Sequence, residues 1–225
     1  MTKLFIANWK SNKTVATAEE WLKAFDNSKI PAEAEVVIAP SFSLLLAVSA
    51  QLKSPLKLGA QDVSLFPMGS YTGAVNAQQL VDQKVEYVIV GHSERRRYFH
   101  ETHQDVANKL QQAMLNGLKP ILCLDDEYIE AQAAALESTD LPNLVVAYEP
   151  VEAIGSGHNA PVDQVQLVSQ KIKLAFGDVP VIYGGSVDEQ NVHEYLLVSD
   201  GVLVGTASLD PVEFAKVVAA AHPKK

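Results

Sequence analysis

Three side chains able to move protons or stabilise charge stand directly behind apolar runs. Glu149 follows Val145-Val146-Ala147-Tyr148, His92 follows Val88-Ile89-Val90-Gly91, and Lys10 lies just beyond Leu4-Phe5-Ile6-Ala7. A single Glu delivered by a strand, ahead of the Gly-bearing loop Pro150-Val151-Glu152-Ala153-Ile154-Gly155-Ser156-Gly157, is placed as a general base under a cover would be. Taken alone, the same Glu would equally cap a strand in solvent, Lys10 would be a surface lysine, and His92 a strand-end histidine bonded to backbone. His92 precedes Ser93-Glu94-Arg95-Arg96, which predicts a helix start. A positive helix end disfavours imidazolium, so a neutral ring that donates from one nitrogen is expected. The turns Gly184-Gly185-Ser186 and Gly205-Thr206-Ala207-Ser208 add backbone N–H groups and hydroxyls suited to an anion, with Lys10 as a compact positive charge.

These groups act together only if the chain brings them to one place. Runs rich in Val, Ile and Leu recur at residues 4–7, 36–39, 56–60, 87–90, 120–124, 144–148, 179–183 and 201–204. They are continuously apolar rather than alternating, as strands covered on both faces of a parallel sheet require. Helical signals fill the gaps. Thr17-Ala18-Glu19-Glu20 predicts a capping box ahead of Trp21, Leu22 and Phe25; Val106, Leu110, Ala113 and Met114 recur at helical spacing up to Asn116-Gly117. Residues 161–176 place Val165, Val168, Ile172 and Ala175 on one face and stop at Gly177, Asp210-Pro211 opens a last helix, and the Ala- and Gln-rich residues 127–137 predict a shorter one. With no linker and no shift in composition, residues 1–225 are expected to form a single α/β domain. The choice lies between an open doubly wound sheet and a closed (β/α)8 barrel, and eight regular units favour the barrel. In a barrel every residue just named for chemistry would converge on the rim at the strands' C-terminal ends.

The net charge of -9, with no basic run longer than Arg95-Arg96-Arg97, argues against a nucleic-acid partner. Cys123 is the only cysteine, so no intramolecular disulfide can form, and its apolar neighbours predict a buried thiol. The N-terminus has no signal-peptide pattern, and no apolar run approaches the roughly 18–20 residues that span a bilayer. A cytoplasmic protein that does not enter membranes is expected. His100, His103, His158, His193 and His222 show no metal-ligand spacing and are expected at the surface, and Asp125-Asp126-Glu127 reads as a solvated turn. No metal is expected.

Six blocks in order along the chain carry a resemblance: Asn8-Trp9-Lys10, Val90-Gly91-His92-Ser93-Glu94-Arg95-Arg96, Ala147-Tyr148-Glu149-Pro150-Val151, Ala153-Ile154-Gly155-Ser156-Gly157, Tyr183-Gly184-Gly185-Ser186-Val187 and Asp200-Gly201-Val202-Leu203-Val204-Gly205. Together they resemble the signature blocks of the triosephosphate isomerase family. The resemblance implies cofactor-free interconversion of dihydroxyacetone phosphate and glyceraldehyde 3-phosphate. Its division of labour, a Glu base with a neutral His electrophile, comes with the family. It makes Glu149 the base, His92 the group that polarises the carbonyl, Lys10 and Asn8 stabilisers of the enediolate, and Glu94 the residue that orients Lys10. It also implies that N–H groups at Gly155, Ser186, Gly205 and Thr206 hold the phosphate. A lid from 150 to 160, including Pro150, Ile154 and Gly157, would close and latch on Tyr183, with Ser186 as a further latch candidate. The loop 66–75 resembles an arm that inserts into a second copy of the chain, packing Thr72 beside the partner copy's active site, so a homodimer is expected. Arg95 and Arg96 are read as structural ion-pair partners.

The chain departs from the family pattern at Glu152, His158 and Asn159 in the lid, at Thr206 where a Gly is usual, at Ala74 in the arm, after Cys123, and in a shortened region 127–141. Two other readings remain open on the residues: a sugar-phosphate binding barrel without catalysis, and a Schiff-base aldolase using Lys10. Neither gives Glu149 and His92 a joint purpose.

Overall fold

The eight apolar runs form eight parallel strands that close on themselves in chain order. In the computed structural model, which describes residues 2–136, 141–150 and 159–222, these are β1 (Lys3–Asn8), β2 (Ala34–Ala39), β3 (Lys57–Ala60), β4 (Val85–Val90), β5 (Lys119–Leu124), β6 (Val145–Tyr148), β7 (Val181–Tyr183) and β8 (Gly201–Val204). β8 pairs back onto β1, which settles the barrel against the open sheet.

Closure explains the continuous apolar runs. Leu4, Ile6, Val37, Ala39, Tyr87, Ile89, Ile121, Cys123, Val145, Ala147, Ile182 and Leu203 pack together inside the barrel. Their neighbours in sequence, among them Phe5, Val36, Ile38, Val88, Leu122, Val146 and Val202, belong to the larger core between barrel and helices. Successive strand residues face opposite sides, so the inward set continues upward by twos. Asn8, Glu149, Gly184 and Gly205 fall on that inward set, at or just past the strand ends.

The helical layer comprises α1 (Val15–Ala24), α2 (Leu45–Gln51), α3 (Ala77–Asp82), α4 (Ser93–Tyr98), α5 (His103–Leu115), α6 (Ile129–Ala135), α7 (Val162–Phe176), α8 (Val192–Val198) and α9 (Pro211–Ala219). The capping box expected at Thr17 lies three residues earlier. Thr14 is the N-cap, its hydroxyl accepts the Thr17 N–H at 3.4 Å, and the Thr17 hydroxyl accepts the Thr14 N–H at 3.0 Å. Asp210 caps α9 by accepting from Val212 N–H and Glu213 N–H, with Pro211 opening the helix. α7 ends at Gly177 with φ +85, a conformation that a Cβ would oppose.

The seam between β1 and β8 depends on the absence of a side chain at Gly201, which pairs with Leu4. A Cβ there would stand 2.0 Å from the Leu4 carbonyl oxygen and 2.7 Å from its nitrogen. Gly201→Ala is therefore expected to force the seam apart and destabilise the fold by about 3 kcal/mol, the upper end of ordinary overpacking. Urea unfolding measures it, and an unchanged midpoint would show that the seam yields.

Candidate active site

The rim residues do converge. Lys10, His92, Glu149, Gly184, Gly185, Ser186, Gly205 and Thr206 line one cleft of about 360 Å³. That volume suits a small molecule.

Glu149 is 2% exposed, and its N–H is fixed on the Leu124 carbonyl at 2.8 Å, so the sheet ladder continues one residue past β6. Its Oε1 lies 3.3 Å from His92 Nε2, while Oε2 has no hydrogen-bond partner among the described residues. Space for the carboxylate comes from Gly184, where a Cβ would stand 2.7 Å from Glu149 Cγ. Cys123 is buried as expected. Burial and the charge of Glu149 push its thiol well above the ordinary range.

His92 is the N-cap of α4, and its Nδ1 accepts the Glu94 N–H at 3.2 Å. An Nδ1 that accepts cannot carry a proton, so a neutral ring holds its proton on Nε2, facing Glu149. The helix end predicted a lowered pKa, and the direction is the opposite. Burial lowers the His92 pKa, yet the charge and hydrogen bond of Glu149, with Glu94 behind, outweigh it and leave the pKa above its ordinary value.

Lys10 adopts φ +50, a left-handed conformation uncommon for a side-chain-bearing residue and characteristic of functional sites. Three contacts hold it there. Asn8 Oδ1 accepts its N–H at 3.1 Å, its carbonyl accepts from Gln61 Nε2 at 2.9 Å, and its ammonium meets Glu94 Oε1 at 2.7 Å. Asn8 thus shapes the turn that presents Lys10. A Cβ on Gly205 would come within 3.9 Å of the Lys10 ammonium, which places that charge beside the Gly205 turn. The N–H groups of Gly205 and Thr206 donate to no acceptor among the described residues.

Tyr183 is fully buried, and its hydroxyl accepts the Ala160 N–H at 3.0 Å. Pro150 is buried beside Glu149, whereas Ile154, Gly155, Gly157, Glu152 and His158 lie outside the described residues. Thr72 is exposed on the 66–75 loop and is not among the residues that line the cleft. Arg95 is the expected ion-pair partner, meeting Asp62 at 2.8 Å and Glu101 at 2.5 Å. Arg96 instead hydrogen-bonds Gly91 O and Gln132 Oε1, with no carboxylate partner among the described residues. His103, expected at the surface, is half-buried against Arg96 and Gln132. Asp126 pairs with Lys171 at 2.9 Å, and no group of three His, Cys, Asp or Glu able to hold a metal occurs among the described residues. Asp188 and Glu213, which the sequence reading passed over, also line the cleft. Nothing local to them signals it, because each reaches the rim from a turn or helix that follows a Gly-bearing turn.

A closed (β/α)8 barrel with a buried acid–base pair at its C-terminal rim has the architecture of a barrel enzyme. Residues 3–221 match the family model described as triosephosphate isomerase. Among curated relatives, the triosephosphate isomerase of Mesomycoplasma hyopneumoniae (strain 7448) is 38% identical over 241 aligned positions, covering 97% of this chain and 99% of that protein. The corresponding protein of Symbiobacterium thermophilum is 40% identical, covering 98% of this chain and 97% of its own length. The chain belongs to the triosephosphate isomerase family.

Because Glu149 is what holds the His92 pKa up, Glu149→Gln is expected to lower it. Burial and the Lys10 charge, both of which disfavour imidazolium, then act with less opposition. Nitrogen-15 chemical shifts of His92 followed against pH read this directly, and an unchanged or higher pKa would contradict the coupling.

Proposed function

We propose that the chain interconverts dihydroxyacetone phosphate and D-glyceraldehyde 3-phosphate through an enediolate, with no cofactor, in the cytoplasm as a step of glycolysis and gluconeogenesis. The observation that carries this reading is the Glu149–His92 pair, with a carboxylate oxygen that has no partner among the described residues on one side and an Nε2–H on the other. Glu149 takes the proton from the carbon beside the carbonyl and returns it to the neighbouring carbon. His92 polarises the carbonyl through Nε2–H and moves protons between the two oxygens. Lys10 and Asn8 stabilise the enediolate, and Glu94 orients Lys10. Phosphate is held by N–H groups of Ser186, Gly205, Thr206 and Gly155, with residues 150–160 as a lid latched on Tyr183. Binding alone would require no buried base. The ion pair of Lys10 with Glu94 suits a charge stabiliser better than the neutral amine of a Schiff-base enzyme.

The assembly proposed with this activity is a homodimer. Phe66 and Tyr71 stack at 4.3 Å while each remains 42% exposed, and Met68 is 63% exposed, so the loop bearing Thr72 presents apolar surface outward. In the proposed dimer it docks at the rim of a second copy and sets Thr72 near that copy's Asn8, Lys10 and His92.

A coupled assay of triose phosphate interconversion tests the chemistry. The wild type is expected to turn over, Glu149→Gln to lose about 1000-fold in kcat as a missing general base does, and His92→Gln about 100-fold. An inactive wild type, or full activity without Glu149, would end the isomerase reading. Sedimentation tests the assembly: a dimer is expected for the wild type, and a monomer of much lower activity for Tyr71→Asp. A wild type that sediments as a monomer and is fully active would remove the role given to Thr72.

A further inference from the structure

Ala160, just ahead of α7, is held by its own peptide groups between two tyrosines. Its N–H donates to the Tyr183 hydroxyl at 3.0 Å, and its carbonyl accepts from the Tyr195 hydroxyl at 2.9 Å. Tyr183 ends β7 and Tyr195 belongs to α8, and their rings stack with centroids 4.1 Å apart. All three residues are buried. On its other side the Tyr183 hydroxyl lies against the Gly-bearing turn of the cleft, since a Cβ on Gly185 would stand 2.0 Å from it. Pro161, the N-cap of α7, contributes no side-chain cap, so the two hydroxyls are the polar ties that fix this stretch of backbone from the side.

We infer that Tyr195 is a positioning residue for the anion-binding turn 184–186. Its hydroxyl fixes Ala160, Ala160 fixes the Tyr183 hydroxyl, and that hydroxyl sets the backbone of Gly185. The inference rests on reading this turn as the phosphate site. A phenyl side chain at 195 would fill nearly the same volume but leave the buried Ala160 carbonyl without its donor, which a buried carbonyl does not tolerate freely. The peptide would then turn toward other partners and release Tyr183, and the turn would lose the wall it is built against. An interaction with phosphate is made equally with bound substrate and with the transition state, so its loss raises KM and spares kcat.

The test is calorimetric titration of inorganic phosphate into the intact wild type, Tyr195→Phe, and Val192→Ala, together with KM and kcat for the triose phosphates. Val192 is buried in α8 and takes no part in the tyrosine contacts, so its variant perturbs the helix without touching the hydroxyl. Tyr195→Phe is expected to weaken phosphate binding and raise KM by about fivefold, the scale of one lost hydrogen bond, with kcat nearly unchanged. Val192→Ala is expected to lower the thermal midpoint while keeping the wild-type affinity. Equal phosphate affinity in wild type and Tyr195→Phe overturns the inference and leaves the proposed activity standing. So does an equal loss in both variants, which would trace the effect to general loosening of α8. A wild type that turns over triose phosphate but does not bind inorganic phosphate, or binds it with Ser186→Pro, which removes the N–H, unaffected, overturns the phosphate assignment of the turn and the inference with it.

Discussion

Glu149 is a carboxylate withdrawn almost entirely from water, and much of the barrel's upper end is arranged around keeping it there. Burying a charged group costs free energy that pairing and hydrogen bonding must offset. Here the offset is small: one contact to an imidazole at 3.3 Å, and an oxygen with no partner among the described residues. The residue is kept in place by covalent and backbone constraint instead. Its own N–H is tied to Leu124, the carbonyl before it is tied to Gly184 N–H at 2.8 Å, and Gly184 lacks the Cβ that would collide with its side chain. A strand in a closed sheet can hold a poorly compensated group because moving it would break the ladder on both sides. His92 is held from a different element, by a backbone N–H of α4, so neither member of the pair can relax toward the other without disturbing regular structure.

The cleft around this pair is not rich in positive charge. Of the residues that line it, Lys10 is cationic while Glu149, Asp188 and Glu213 are acidic, and Lys10 already shares its charge with Glu94. The chain as a whole carries -9. Side-chain charge therefore gives the cleft no net positive character. What remains are fixed dipoles: the N–H groups of Gly205 and Thr206 point from turns with no side-chain entropy to lose and no competing acceptor among the described residues. Asp188 and Glu213 are solvent-exposed, so water and salt screen them, whereas the N–H groups act at contact distance. Where these groups point depends on the backbone of the turns, and at Gly185 a Cβ would meet the Tyr183 hydroxyl.

Much of this arrangement was legible in the chain because it follows from local rules. The eight strands were visible as continuous apolar runs, and the polar residues that follow them, Asn8, Glu149, Gly184 and Gly205 among them, were placed at one rim by the position of each just past a strand. The α9 cap at Asp210 and the end of α7 at Gly177 were visible for the same reason, each depending on one or two neighbouring residues. The α1 cap was misplaced because Glu20 gave a familiar spacing from Thr17, while the cap that forms uses two threonines, Thr14 and Thr17. α2, α3 and α8 span no more than 7 residues each, too few turns for periodicity to show. The long-range facts were out of reach. That Gly184 makes room for Glu149 and Gly185 for Tyr183 is a matter of which atoms meet across the barrel, and Gly-Gly reads in sequence simply as a turn. The His92 pKa was misjudged for the same reason, since the nearest charge comes from a residue 57 positions away and not from its own helix.

A quartet of charges, buried at Asp62, Lys109 and the Glu101 carboxylate and partly exposed at Arg95, joins the loop that leaves β3 to the helix that carries His92 at its cap. Asp62 meets Lys109 at 2.6 Å and Arg95 at 2.8 Å, and Glu101 meets both of the same cations, so two positive and two negative groups close a ring. The ring is not a source of stability at Asp62. Burial raises the pKa of that carboxyl despite Lys109 and Arg95, so the folded state holds its proton more tightly than the unfolded chain. The resulting penalty is complete above the folded pKa and vanishes only below the unfolded value, which makes the charged group a cost at neutral pH. Its effect is geometric. Removing any one member would leave the other three with an unbalanced charge in a largely buried setting. Asp62 stands at the root of the loop that presents Phe66 and Tyr71, and Arg95 lies in the first turn of α4, one residue beyond Glu94 and three beyond His92. The root of the apolar loop and the helix capped by His92 are therefore tied to each other outside the barrel, through Asp62 and Arg95.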